Sequence, residues 1–420
     1  MSSQNTITCH RVVITGCGAL SPAGIGVVPM WDAIMEARCC LGLLTRFACD
    51  GFDVKIAGEI SDYDPEALGF SKKETRRLGR FIQYAMVASD EAIAQSGLDL
   101  EREDTARIAC VFGSGMGGIE VLERDHRAYF ERGPKRVSPL FIPQMISNMA
   151  AGNLAIRYGL RGECSSIVTA CATGTHCIGE AYRLIRFGYA DAALTGGTEE
   201  SVTPMCIAGF GNLGALTKEA DPLAASRPFD ARRSGFVASE GAGALVLESL
   251  EHAEARGAHI IAEIVGFGST GDAYHMTAPA PNGEAATRAM RDALTEGGFT
   301  AADLGHLNAH GTSTSVNDKT ESAALLGLCG DAGATVPVVS VKGAIGHTLG
   351  AAGALEAIVC ALSVARDVVP ATVGFAVSDP ECGVRVLTEP LRDYPQRVAL
   401  STSLGFGGHN AALAIAPYRA

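Results

Sequence analysis

The sequence predicts an α/β fold: a mostly parallel sheet with helices on both faces, built as two related halves. Three observations carry this. Short β-branched runs ending at glycine or polar turns alternate with longer amphipathic stretches. Glycine is abundant, 50 residues against 17 prolines, as many tight strand-to-helix turns would require. A glycine-rich turn that follows a strand and opens an alanine-rich helix occurs twice, once in each half.

The strands expected in chain order are 11–16 (RVVITG), 108–113 (IACVFG), 190–197, 260–268, 304–311, 336–342 and 398–403. Helical periodicity lies between them at 82–96, 172–187, 285–297 and 349–365. In the last of these, Leu349, Ala352, Leu355, Val359 and Leu362 recur at helical spacing. The repeated turns are Thr169-Ala-Cys-Ala-Thr-Gly174 and Gly346-His-Thr-Leu-Gly-Ala351. Two α/β halves, 1–256 and 257–420, are the resulting division, with no Pro/Ser-rich linker between them.

Composition removes several classes. The 420 residues are 47% hydrophobic and 19% charged, which is globular. A formal net charge of −12 opposes nucleic-acid binding. No run approaches the ~20 apolar residues of a membrane span. Met1–Thr8 is polar and lacks a signal-peptide layout. Thirteen cysteines, an odd number scattered over a long chain, do not read as a disulfide framework. A reducing cytoplasm is therefore expected, where a thiol can serve as nucleophile.

Six motifs carry candidate chemistry. Gly113-Ser-Gly-Met-Gly-Gly118 follows a strand and fits G-x-G-x-x-G, the basis of a dinucleotide-binding oxidoreductase reading. No acidic strand end follows about 20 residues on, so a tight turn beside a crowded site is the plainer explanation. Cys171 sits between a β-branched run and a helix, where dipole and free N–H groups would favour thiolate. Its plain alternative is a small buried core residue. His310, in Asn308–Thr314, and His347, in Lys342–His347, each follow a strand in a glycine-rich turn. Ligand and catalytic groups collect at such strand ends, although a lone histidine is more often a satisfied core group. Leu404-Gly-Phe-Gly-Gly-His-Asn410 could bring backbone N–H groups to an oxyanion. The sixth is basic: on one helix Lys72, Arg76 and Arg80 would align, with Lys73 and Arg77 beside them and Lys135–Arg136 nearby. That face would meet an anionic partner or simply be solvated. A metal site at Cys164, Cys171, His176 and Cys177 is not expected, because the spacing spreads the three helical residues over different faces.

Together these motifs resemble the β-ketoacyl-acyl-carrier-protein synthases, elongating condensing enzymes of the thiolase superfamily, and most closely their type II members. The resemblance runs over nearly the whole chain. It rests on Thr169–Gly174, Ala225–Asp230, Asp272–Thr277, His310–Thr314, Gly346–Gly353 and Gly405–Asn410 in family order. It implies a five-layered α-β-α-β-α thiolase-like fold of two similar halves, usually a homodimer. It places the nucleophile on Cys171 and the two histidines on His310 and His347. Lys342 and Glu321 would organise the histidines, Phe406 would gate, and Thr312 and Thr314 would contact pantetheine. The Lys72–Arg80 face would receive acyl carrier protein.

The implied reaction is decarboxylative condensation of malonyl-carrier protein with an acyl chain held on Cys171, lengthening it by two carbons. It calls for no metal and no redox cofactor. Three residues depart from the family pattern: Leu404, Gly343 and His409 stand where phenylalanine, serine and threonine are common. They leave the triad intact and bear on gating and chain length. A thiolase would carry a second cysteine near the last glycine turn, an initiating synthase would pair cysteine with His and Asn, and a chain-length factor would lack Cys171. A ketosynthase subunit of a polyketide or polyene pathway would use the same triad and stays open.

Overall fold

The computed structural model describes residues 9–419, so the Met1–Thr8 expectation lies outside it. Its principal strands are β1 (Val12–Ser21), β2 (Ile108–Gly113), β3 (Ala192–Glu199), β4 (Gly241–Ser249), β5 (Ala262–Gly271), β6 (Leu304–Asn308), β7 (Pro337–Val339), β8 (Val398–Gly405) and β9 (His409–Ala416). Its principal helices are α1 (Arg80–Ser96), α2 (Thr173–Arg186), α3 (Glu284–Glu296), α4 (Ser315–Cys329) and α5 (Ala352–Ala365). All strands named above share one sheet. Its order is Arg385–Val386, β7, β6, β8, β9, β5, β1, β4, β3, β2, Cys164–Ser165.

Read outward from the β1–β5 seam, the two sides repeat. Both β1–β4–β3–β2 and β5–β9–β8–β6 run antiparallel, antiparallel, then parallel. Helix α1 packs on the first side, α3 on the second, and α2 and α5 touch each other and strands of both sides. The layers are thus helix, sheet, helix pair, sheet, helix. The central core is apolar and small-residue rich, with Ala181, Ile178, Leu355, Ile358 and Ala361 between the half-sheets.

The sheet is mixed, not mostly parallel. The two strands that sequence periodicity does not disclose, β4 and β9, run antiparallel to both neighbours, as do the seam strands β1 and β5. Their sequences, GAGALVLES and HNAALAIA, are glycine- and alanine-rich, with low strand propensity. Packing explains the choice. A Cβ on Gly243 of β4 would lie 2.8 Å from the Leu355 backbone nitrogen of α5. The same holds where helices approach the seam strands. Cβ atoms on Gly16 and Gly18 would meet α1 carbonyl oxygens at 2.1 and 1.8 Å, and on Gly266 and Gly268 those of α3 at 2.0 and 1.9 Å. Much of the glycine therefore serves close helix–strand contact inside the sheet as well as turns.

The two sequence-repeated turns are structural counterparts. Each is a short 3-10 segment, Ala170–Ala172 and Leu349–Ala351, running directly into α2 and α5. Each starts on a left-handed non-glycine residue, Ala170 at φ 51° and Leu349 at φ 47°. Such strain collects at functional sites.

Candidate active site

Cys171 lies in the first of these turns, buried, with Gly405 of β8 against it: a Cβ there would stand 2.6 Å from the Thr169 carbonyl oxygen and 3.4 Å from the Cys171 nitrogen. His310 follows β6 by two residues, and His347 follows β7 after the helical turn Lys342–Ile345. The fold brings all three together, with the Cys171 sulfur and one nitrogen of each ring within 4.8 Å of one another. The two imidazoles meet edge-to-face at 5.1 Å between centroids. A thiol and two imidazoles so placed are a possible cation-binding set, but Lys342 puts an ammonium 3.3 Å from His310 Nδ1.

Hydrogen bonds fix how the rings point. Lys342 Nζ donates to His310 Nδ1, and the Leu349 N–H donates to His347 Nδ1 at 3.3 Å. With Nδ1 accepting in both, neutral rings carry their proton on Nε2. They are neutral: burial first, then the Lys342 charge, holds both pKa values well below the ordinary histidine range.

Cys171 does not follow the thiolate expectation. Burial pushes its thiol up to about 12. Lys342 and the N–H groups of Phe406 and Cys171 itself pull the other way without overcoming burial. At neutral pH the resting sulfur carries its proton.

The residues expected to support Cys171, His310 and His347 fall around them. Glu321, fully buried on α4, accepts the backbone N–H groups of His310 at 2.7 Å and Gly311 at 2.8 Å and the Thr402 hydroxyl at 2.6 Å. It thus orients the His310 turn by its backbone. Burial raises its carboxyl to about 7. Thr312 and Thr314 line the cavity and share a 2.9 Å hydrogen bond. Phe406, half-buried at the β8–β9 tip, faces Phe210 with centroids 6.4 Å apart. Cys171, both histidines, both threonines and Phe406 border one cavity of about 420 Å³.

Three residues escaped the sequence reading. Glu356 forms the buried ion pair with Lys342. Its signal was visible, since it is the one charged residue in α5. Arg233 and Asp318 brace the threonine loop. Arg233 donates to the carbonyl oxygens of Thr314 and Ser315, both at 3.1 Å, and Asp318 accepts the Thr312 N–H at 2.9 Å. Nothing in local periodicity marks them.

The basic segment needs correction. Lys72–Arg77 is a short capped helix, Leu78 is extended, and Arg80 opens α1. Lys72, Lys73, Arg76 and Arg77 are exposed on that helix, whereas Arg80 is half-buried and paired with Glu120 at 3.1 Å. One straight basic face from Lys72 to Arg80 does not exist. The departures have local causes in part. A Cβ on Gly343 would lie 2.2 Å from the Val373 carbonyl oxygen, so serine does not fit this backbone. Leu404 is buried, and the exposed His409 lays its ring against Gly407. Of the residues considered for zinc, His176 is instead engaged with Thr169 and Ser269, both at 2.9 Å.

The turn Gly113–Gly118 is already filled by a carboxyl side chain of the protein. The Glu199 carboxylate accepts the Gly115 and Met116 N–H groups at 2.9 and 3.2 Å. A pyrophosphate has no place there, which removes the basis of the dinucleotide reading.

Comparison with known proteins agrees with this geometry. Residues 10–253 match the family described as beta-ketoacyl synthase, N-terminal domain, and residues 261–376 its C-terminal domain. The 3-oxoacyl-[acyl-carrier-protein] synthase 2 of Staphylococcus aureus strain COL is 46% identical over 418 residues, covering 100% of both chains. A beta-ketoacyl synthase structure from Burkholderia phymatum superposes with a TM-score of 0.90 at 34% identity, over 98% of this chain and 100% of the other. A second structure, a type II PKS acyl-carrier protein in complex with its ketosynthase bound to the hexaketide, has a TM-score of 0.90 at 30% identity, with coverage of 98% and 100%. Both family domains, in order and over most of its length, place the chain in the beta-ketoacyl synthase family.

Proposed function

We propose that the protein is a 3-oxoacyl-[acyl-carrier-protein] synthase that condenses malonyl-carrier protein with an acyl chain on Cys171. The observation that carries this is the convergence of a buried thiol with two neutral imidazoles, each with Nδ1 occupied and its proton left on Nε2.

Acyl transfer begins with attack of the Cys171 sulfur on the acyl thioester. The N–H groups of Cys171 and Phe406, which already address the sulfur, serve the tetrahedral oxyanion. The carbon–sulfur bond to pantetheine breaks, and the thiol proton ends on the departing pantetheine sulfur. Malonyl-carrier protein then binds along Thr312 and Thr314. His310 and His347 donate from Nε2 to its thioester oxygen. The carbon–carbon bond to the carboxylate breaks, releasing carbon dioxide. Negative charge builds on that oxygen, so the two hydrogen bonds strengthen toward the transition state. The enolate carbon attacks the acyl-Cys171 carbonyl. Collapse expels the Cys171 thiolate, which takes up one proton, and leaves a 3-oxoacyl thioester longer by two carbons.

Lys342 and Glu321 are positioning residues here, acting through His310. Phe406 gates the space beside Cys171, a role its half-buried place at a glycine-rich tip supports. Exposed Lys72, Lys73, Arg76 and Arg77 form the carrier-protein contact, with Arg80 at its edge. A homodimer is supported by exposed Tyr129, Phe130 and Ile142 and by the short edge strand Cys164–Ser165 at one end of the sheet. A division near residues 256 and 257 is supported by the gap between β4 and β5. A cytoplasmic setting accords with thirteen free cysteines, and no helix among the described residues is long and apolar enough to cross a membrane.

A polyketide ketosynthase is the second reading, favoured by the structural likeness to the type II PKS ketosynthase at 30% identity. Incubating the purified chain alone with acyl- and malonyl-carrier protein separates the two. A two-carbon-longer product supports the first. Product only after adding a second, cysteine-less subunit supports the second.

A further inference from the structure

Glu199 ends β3 fully buried, and its carboxylate accepts four hydrogen bonds. The Ser114 hydroxyl at 2.7 Å and the Met116 N–H at 3.2 Å reach Oε1; the Gly115 N–H at 2.9 Å and the Gly350 N–H at 3.0 Å reach Oε2. One carboxylate of the first half thus ties its own glycine turn to the turn after His347 in the second half. Side chains are excluded on both sides: a Cβ on Gly115 or Gly350 would stand 2.7 or 2.6 Å from Oε2.

The Gly350 contact touches the chemistry through its neighbour. Leu349 is left-handed at φ 47°, costly for a bulky residue and kept only where surrounding contacts over-determine it. Its N–H is the donor that occupies His347 Nδ1. We propose that Glu199 is a positioning residue for His347: by holding the Gly350 N–H it keeps Leu349 in its strained conformation, with the Leu349 N–H on Nδ1 and the ring proton on Nε2. This rests on the reading of His347 as a donor to the malonyl thioester oxygen. It also gives Gly113–Gly118 a purpose, that of cradling an internal carboxyl group.

The test is ring-nitrogen NMR of protein carrying 15N-labelled histidine, with the His347 signals assigned by their loss in His347→Asn. The wild type shows the Nε2–H tautomer. In Glu199→Gln the signal moves toward a mixture of tautomers. Malonyl-carrier decarboxylation falls about 100-fold, less than the penalty known for a wholly wrong tautomer. Acylation of Cys171 persists. A wild-type tautomer together with wild-type decarboxylation in Glu199→Gln overturns the proposal. If that variant does not fold, Gly350→Ala forces the same contact apart from the other side, and the same two outcomes decide. A wild-type protein inert toward malonyl-carrier protein would sink the functional reading, while the tautomer would still judge the role of Glu199.

Discussion

Lys342 Nζ stands 3.3 Å from His310 Nδ1 and is ion-paired on its other side with Glu356. A buried ammonium is thereby held against an imidazole that burial keeps neutral, with its proton on Nε2. Replacing Lys342 with alanine removes the donor that fixes the tautomer and leaves Glu356 buried without a partner. The decarboxylation rate is expected to fall about 100-fold. Stability is expected to drop by about 3 kcal/mol, as when one partner of a buried pair is lost. Malonyl-carrier decarboxylation and urea unfolding check the two effects separately. Lys342→Met with Glu356→Leu should recover stability without recovering the rate.

Alkylation of Cys171 should depend steeply on pH. Burial holds the thiol at about 12 against the pull of Lys342 and the Phe406 N–H. The iodoacetamide rate should therefore rise about tenfold per pH unit between about pH 6 and 9, following the thiolate fraction. A plateau below pH 8 would mean that the helix N-terminus favours the thiolate after all.

Phe406 touches the cavity and packs near Phe210. Phe406→Ala should broaden the acyl lengths accepted on Cys171 and speed acylation by bulky chains about tenfold relative to short ones, on the scale of a few buried methylenes. Competition between acyl donors of different length measures this. An unchanged length profile would remove the gating role.

Far from the cavity, His252 donates to Glu248 at 2.6 Å and Glu103 at 2.9 Å. The Glu248 contact first, against burial, raises its pKa to about 9. A cationic group raised above its unfolded value of about 6.5 stabilises fully below that value. The contribution is lost as pH rises through about 9. His252→Asn should therefore cost about 2 kcal/mol at pH 6, with the gap to wild type closing above pH 9 in denaturant titrations.

The repeated turns, the turns that carry Cys171, His310 and His347, and most helices were legible because each is local. A strand, a glycine turn and an amphipathic helix follow one another in the chain, as at Ile108–Gly113 and at Thr173–Arg186. What escaped was set by distant partners. Strands β4 and β9 are glycine- and alanine-rich because helices press on both of their faces, and this cost the sheet's true mixed direction. Arg233 and Asp318 act on Thr312–Ser315 through contacts that no sequence period encodes. The Lys72–Arg80 face failed for a local reason. Leu78 and Gly79 leave helical geometry between the Lys72–Arg77 cluster and Arg80. The thiolate expectation failed because burial, which a sequence window does not show, outweighs the helix end.

The central claim is that Cys171 carries the growing chain and that the two histidines discharge it. Intact-protein and peptide mass spectrometry after mixing with acyl-carrier protein, then with malonyl-carrier protein, tests this most directly. The account predicts an acyl mass on Cys171 that disappears with release of a 3-oxoacyl product two carbons longer. In His310→Ala and His347→Ala the acyl mass should form and persist. Failure of every acyl donor to modify Cys171, or discharge undiminished without the histidines, would contradict it.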